Sequence, residues 1–476
     1  MTAPTRTNGE LSRTDNPNPN ATIGFVVFYP FQYYVFKNVY EHLKDNAEFI
    51  IDEGAFFPIE QSPKLVGGVV MLLKKQGVHF RILRYGEYFN ESRLENFFSS
   101  YTCLISLWIR GCLNFPCNLE RRKIHLTYGV GKDLITYGLW KRKFDLILAY
   151  GQRDHQYFSR YTRSEIVGNP KFDDWFNKKF DMILLEEVEK RLDPRKKTVL
   201  YLPTHSDLCS IDDLADELKK LAKDRNLIVK FHYYTTHEEL ERVRKLQNPN
   251  IIAFDDAADL ITLLAISDVV LSDNSSAIFD AVLADKPIIA TDFLTDEYLD
   301  REHAEYKVFR RGVAEGLTYS GSIEQKIKRE GKIITLKRRE GLRPAVEKAL
   351  GDPEFFKESR KKLREELFDF RDGKSGERAA MAIKNFLAKK ELPEKPLFWH
   401  LIENLGSTQR LTKLLEERIR ETGTSGKAKD ALLLKKFIEK QILKTIFFLL
   451  VWMEGFLKLK FFVFVRKTLP ADKTTK

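Results

Sequence analysis

Short β-branched runs alternate with amphipathic stretches along most of the chain. Thr22–Phe28, Glu48–Asp52, Val78–Leu83, Cys103–Trp108, Lys123–Thr127, Asp145–Ala149 and Glu165–Val167 read as buried strands. Helical periodicity over Tyr33–Asp45 and Val66–Gln76 falls between them. Near-continuous apolar runs separated by helical segments predict a parallel sheet covered on both faces. The pattern restarts after Gly168–Trp175, with a charged helix expected over Lys171–Leu192. Strands are predicted at Lys197–Leu202, Asn226–Phe231, Asn250–Phe254, Asp268–Ser272 and Ile288–Ala290. Helices are predicted at Ile211–Asp224, Thr236–Leu246, Asp256–Ala265 and from Ala277, and beyond the Ile288–Ala290 strand only helices are predicted, to about Leu387.

Two such series imply an α/β protein with two Rossmann-like, doubly wound domains, the glycosyltransferase-B architecture, with its active site in the cleft between them. The expected divisions are a disordered lead-in over 1–20, an acceptor-side domain over 21–170, a nucleotide-donor domain over 171–390 and a helical tail over 391–476. The lead-in is rich in Thr, Asn, Pro and Arg and has no apolar core. In the tail, Leu432–Val465 interleaves Lys with Leu, Ile and Phe. An amphipathic helix lying on a membrane has this pattern, and so has a helix pair packed on the protein or on a second subunit. A spanning helix fits least, because Lys444, Glu454, Lys458 and Lys460 interrupt the run.

Charge and cysteine usage narrow the picture. The formal net charge is +11 and the pI about 9.1, which suits an anionic partner. The four cysteines lack metal-ligand spacing and read as reduced cytoplasmic thiols. No nucleic-acid-binding signature is present.

Candidate chemistry sits where strands end. Ser267–Ala290 reads as strand, polar turn, helix, turn and strand. Its turn, Asp273-Asn274-Ser275-Ser276, offers hydroxyls and backbone donors at a helix start, where phosphate binds readily; the plain alternative is helix capping. Pro203-Thr204-His205-Ser206 and Lys230-Phe231-His232 occupy equivalent strand ends, and each also reads as an ordinary strand terminus. Tyr128-Gly-Val-Gly-Lys132 is a glycine-rich turn without the full dinucleotide fingerprint.

These blocks resemble the CDP-glycerol glycerophosphotransferase family of teichoic acid and capsule synthesis. Ser267–Ala290 is similar to its S-D-x-S-S-x-x-F-D-x-x-x-x-x-K-P-I block. Tyr201–Thr204 resembles Y-x-P-T, Lys230–His232 resembles K-x-H-P, and Gly168–Asp173 resembles G-x-P-R-x-D. Phe368–Arg378 resembles the late D-G-x-x-x-x-R block, and the likeness spans roughly Lys123–Ala380. The chain departs from the family twice. Tyr128 stands where H-G-T-x-L-K has its His, and Tyr233 follows His232 where Pro is expected. His125, three residues earlier, faces the other side of its strand.

The resemblance implies attack of an acceptor hydroxyl on the β-phosphorus of a CDP-alditol such as CDP-glycerol, with loss of CMP. Ser275 and Ser276 would hold the diphosphate, with Asp273 and Asn274 in the same turn. Lys230 and His232 would neutralise the leaving phosphate. Thr204 and His205 would line the nucleotide pocket, and Asp280 would orient a donor hydroxyl or a basic side chain. Tyr128, Asp133 and His125 are candidates for the base; an unperturbed tyrosine titrates near about 10. No cofactor or metal is expected. The expected partners are a nucleotide-diphosphate donor, a lipid-linked or polymeric acceptor, an anionic membrane surface and a possible second copy, at the cytoplasmic face of the cell membrane. A nucleotide-sugar glycosyltransferase and a non-catalytic member of the fold are the competing readings.

Overall fold

The computed structural model describes residues 15–55, 62–84, 86–87, 90–109, 111–114, 121–160, 162–309 and 317–389. The tail over 391–476 lies outside them. One compact unit takes in Met1–Leu83, Ser100–Ile109 and Arg121–Ala388 and contains both sheets. A second comprises Arg84–Ser99, Arg110–Glu120 and Lys389–Lys476; its described part includes a helix, Glu91–Phe98, capped by the Asn90 side chain.

The first sheet has seven strands: β1 (Ile23–Val27), β2 (Ala47–Asp52), β3 (Phe80–Leu83), β4 (Cys103–Ser106), β5 (Arg122–Leu126), β6 (Leu146–Ala149) and β7 (Arg163–Ile166). Their order is β3-β2-β1-β4-β5-β6-β7, and every pairing is parallel. The second sheet holds β8 (Thr198–Leu202), β9 (Asn226–Lys230), β10 (Ile251–Phe254), β11 (Val269–Ser272), β12 (Ile288–Thr291) and β13 (Ile334–Leu336), ordered β10-β9-β8-β11-β12-β13, also parallel. In both, the order reverses beside the first strand of the series. That switch point opens a crevice at the strands' carboxyl ends.

Alternation along β8 shows how the second sheet is buried on both faces. Val199 and Tyr201 join a core with Leu214, Leu218 and Val346. Leu200 and Leu202 join the opposite core with Ile278, Phe279 and Val282. Residues at period two point to opposite faces, so both sets must be apolar.

The sequence reading differs from the structure at several places. β13 was expected to be helical; it is three residues long and pairs only with β12. The expected helix over Lys171–Leu192 is broken, because Lys178 takes φ of 56° and Asp181 restarts the helix at Met182–Glu189. Asp181 accepts from the N–H groups of Ile183 and Leu184, a side-chain cap that a continuous helix would not contain. Residues 15–20 are ordered within the stretch read as a lead-in. The buried Asn18 amide donates to the carbonyls of Lys44 and Ala47, and its backbone N–H reaches Glu48.

The closing helix, Ser375–Leu387, returns to the first sheet's side and packs on the helix Phe31–Tyr40. A Cβ at Gly376 would lie 2.3 Å from the Asn38 carbonyl oxygen, so that crossing requires glycine. Asp173 accepts from the N–H groups of Ser375 (2.9 Å) and Gly376 (2.6 Å). The G-x-P-R-x-D-like and D-G-x-x-x-x-R-like blocks therefore clasp each other.

Candidate functional site

Three loops at the carboxyl ends of β8, β9 and β11 meet. After β11, the Asp273 carboxylate accepts from Thr204 N–H (2.9 Å), Ser210 N–H (3.0 Å) and Ser210 Oγ (3.1 Å). Burial raises its pKa, and these hydrogen bonds oppose that shift. With both oxygens engaged, Asp273 fixes the loops around the site. Asn274 is likewise engaged: its Oδ1 accepts from Gln325 Nε2 (2.9 Å) and Lys328 Nζ (2.8 Å). The half-buried hydroxyl residues Ser275 and Ser276 follow, at the start of the helix Ala277–Leu283. Ser275 Oγ caps Ala277 N–H at 3.2 Å.

Beside them, His205 after β8 and His232 after β9 stack with ring centroids 4.3 Å apart. His232 Nδ1 accepts the Tyr234 N–H at 3.2 Å and so caps its helix. Burial, His205, Lys132 and Lys230 together hold the His232 pKa well below the usual range. The ring is therefore neutral near pH 7, with its proton on Nε2 because Nδ1 is an acceptor. A neutral Nε2–H donor suits a phosphate oxygen and is a poor proton acceptor at that atom. Thr204 is buried beside the same loop, bound through its N–H. Burial also lowers the Lys230 pKa, while Asp256, Asp255 and Asp259 oppose the shift.

Asp280 lies on the helix after Ser276 and pairs with Lys171 Nζ at 2.7 Å, both side chains being buried. Burial raises its pKa, opposed by Lys171 and Lys230. The pair ties the segment after β7 to the helix that follows the polar turn.

The turn after β5 approaches from the first sheet. A Cβ at Gly129 would lie 3.0 Å from Ser276 Oγ. Gly131 takes φ of 92°, and a Cβ there would lie 2.9 Å from Glu324 Oε2 and 3.0 Å from the Phe279 ring. The glycines thus serve left-handed backbone and close approach between sheets. The Lys132 N–H donates to Glu324 at 2.9 Å, and the Asp133 N–H donates to Ser322 Oγ at 3.0 Å. Asp133 is buried and paired with Arg153 at 2.7 Å. Burial raises its pKa against the pull of Arg153. Glu324 is pushed up to about 7, chiefly by burial and then by Asp133. Sequence reasoning missed Glu324 and Lys328, and neither stands in a recognisable motif.

Tyr128 sits near this approach, its hydroxyl accepting from Trp108 Nε1 at 3.2 Å. His125 is fully buried, with Nδ1 against the Ser106 carbonyl and Nε2 against Lys141. Burial and then Lys141 hold its pKa well below the usual range. Its ring packs against Trp140 and Phe144. Among the described residues no group of His, Cys, Asp or Glu is arranged to hold a metal, and no helix is long and apolar enough to cross a membrane.

The family model for CDP-glycerol:poly(glycerophosphate) glycerophosphotransferase matches residues 152–309, which bears out the resemblance read from the sequence. That span holds Thr204, His205, Lys230, His232, Ser275, Ser276 and Asp280. No curated protein matches the chain in sequence. The fold is similar to that of the wall teichoic acid polymerase TagF, in a variant soaked with CDPG, at 15% identity and a TM-score of 0.50, covering 79% of this chain and 91% of that one. It is also similar to S. aureus MnaA with UDP, at 11% identity and a TM-score of 0.50, covering 79% and 100%. At these identities the likeness is one of fold, and it places the two parallel sheets in the glycosyltransferase-B architecture.

Proposed function

We propose that the protein transfers an alditol phosphate, of the glycerol phosphate type, from a CDP-linked donor to a hydroxyl of a lipid-linked or polymeric acceptor in cell-surface polymer synthesis. The observation that carries this reading is that Ser275–Ser276 and the His205–His232 stack occupy three adjoining strand ends, within the stretch that matches the family. The acceptor oxygen bonds to the β-phosphorus, the bond from that phosphorus to the CMP oxygen breaks, and CMP leaves. Such transfer depends on positioning and charge stabilisation. Ser275 and Ser276 hold the diphosphate at the helix start. His232 donates from Nε2 to the leaving phosphate, and Lys230 supplies positive charge nearby. Thr204 and His205 line the nucleotide side. Asp280, braced by Lys171, orients the helix bearing the serines. The acceptor proton passes to a base on the side of Tyr128 and Asp133. The tail brings the enzyme to the cytoplasmic face of an anionic membrane.

The test is release of CMP from CDP-glycerol in the presence of membrane extract. Ser276→Ala combined with His232→Ala abolishes release while leaving the circular dichroism spectrum unchanged. Wild-type turnover in that double variant refutes the site.

A further inference from the structure

The histidine stack continues into a third ring at the surface. Tyr234, two residues after His232, lies 5.1 Å from the His205 ring, and the two planes diverge by 46°. Its N–H is the group that His232 Nδ1 caps. His205 and His232 are half-buried, whereas Tyr234 is 39% exposed. His205 thus touches a half-buried imidazole on one side and, on the other, a large aromatic side chain open to solvent. The loop that carries His205 is strained and pinned. Ser206 takes φ of 54°, left-handed backbone that is costly for a residue with a Cβ. Its N–H donates to Glu239 Oε1 (2.8 Å), its carbonyl accepts from Arg242 Nη1 (2.7 Å), and its hydroxyl lies 2.9 Å from His205 Nδ1. Glu239 is held in turn by Thr235 Oγ1 (3.0 Å) and Arg242 (2.8 Å). The chain that follows β9 therefore both bears Tyr234 and fixes the turn at His205. Backbone strain held by several surrounding groups is the mark of a ligand clamp.

We infer that Tyr234, with His205 beside it, seats the pyrimidine base of the donor nucleotide, and that the Tyr234 ring stacks on that base. A nucleotide whose phosphate meets His232 extends its ribose and base away from that ring. His205 and then Tyr234 continue the row in that sense. Every base presents a flat π-face, and an exposed tyrosine ring is a suitable partner for it. A tyrosine side chain has only two rotatable torsions, so little freedom is lost when a ligand arrives. Burial, then Glu238 and Glu239, raise the Tyr234 pKa, so its ring is uncharged at neutral pH. Stacking reads the face of a base and not its hydrogen-bonding edge. Tyr234 therefore holds cytosine and uracil alike, and the choice between them falls to other groups. This inference rests on the proposed nucleotide donor and names the residue that grips its base.

The experiment is saturation-transfer NMR of CMP with the full chain, alongside calorimetric titration of CMP, UMP and inorganic pyrophosphate. In the wild type the protons of the cytosine ring saturate more strongly than those of the ribose. Tyr234→Ala weakens CMP and UMP about tenfold each, the worth of one stacking contact, and removes the excess saturation of the base. Tyr234→Phe keeps both affinities within about twofold, and pyrophosphate affinity stays within about twofold in both variants. Base protons no more saturated than the ribose in the wild type overturn the inference, as does CMP affinity unchanged in Tyr234→Ala. Equal weakening of CMP and pyrophosphate in that variant also overturns it, since Tyr234 would then only support the helix that His232 caps. A wild type that binds neither CMP nor UMP overturns the inference together with the nucleotide donor. UMP bound in preference to CMP, with both weakened in Tyr234→Ala, refutes the cytidine donor and leaves the stacking residue standing.

Discussion

Replacing Asp280 with Asn strands the Lys171 ammonium. The pair is 2.7 Å apart, and Asp280 and Lys171 are each 8% exposed. Removing one member of a buried pair costs about 3–5 kcal/mol, because the remaining charge loses its partner without regaining water. For a domain of this size that corresponds to a melting shift of roughly 6–20 °C. Lys171→Met in the same chain removes the stranded charge, so the double variant recovers most of the loss. The assay is a thermal melt of the four proteins of the cycle, followed by calorimetric titration with CDP-glycerol. Donor affinity falls in Asp280→Asn, because the helix that begins after Ser276 loses its brace to the segment after β7. A single variant that melts within about 1 °C of wild type, or a double variant less stable than Asp280→Asn, refutes the reasoning.

Three further outcomes follow from the same geometry. Glu324 has a folded pKa of about 7 against an ordinary 4.5, so the fold bears the cost of charging it above pH 7 and none below about pH 4.5. Stability therefore falls by about 3 kcal/mol as pH rises through that window; Glu324→Gln flattens this portion of a urea-denaturation profile, and an unchanged slope contradicts it. Gly131→Ala drives a methyl group toward Glu324 and Phe279 in left-handed backbone, and destabilises by roughly 1–3 kcal/mol with loss of transfer; a wild-type melt and rate would show that the close approach does not matter. Truncation before Leu432 releases the protein from sedimenting phosphatidylglycerol vesicles if the tail holds it at a membrane, whereas undiminished co-sedimentation removes the tail from that role.

The strands were legible because they are nearly continuous apolar runs ending in polar turns, as in Asp268-Val-Val-Leu-Ser272. β13 was missed because three residues between a lysine-rich helix and a charged turn carry too short a period to register. At the site, hydroxyls and imidazoles at strand ends stood out by type and position. Their division of labour did not. Asp273 and Ser275 look alike as loop polar residues, and only the fold shows that the aspartate is consumed by Thr204 and Ser210. Glu324 was invisible because its partner, Lys132, is 192 residues away and the contact uses a backbone N–H.

The central claim is a CDP-linked alditol donor seated between the serine turn and the histidine stack. Calorimetric titration of the full chain with CDP-glycerol, CDP-ribitol and UDP-N-acetylglucosamine tests it directly. Saturable binding of a CDP-alditol, weakened at least tenfold by Ser276→Ala with His232→Ala and absent for the UDP-sugar, is the predicted result. Preferential binding of the UDP-sugar, or CDP-alditol binding indifferent to both substitutions, would contradict it.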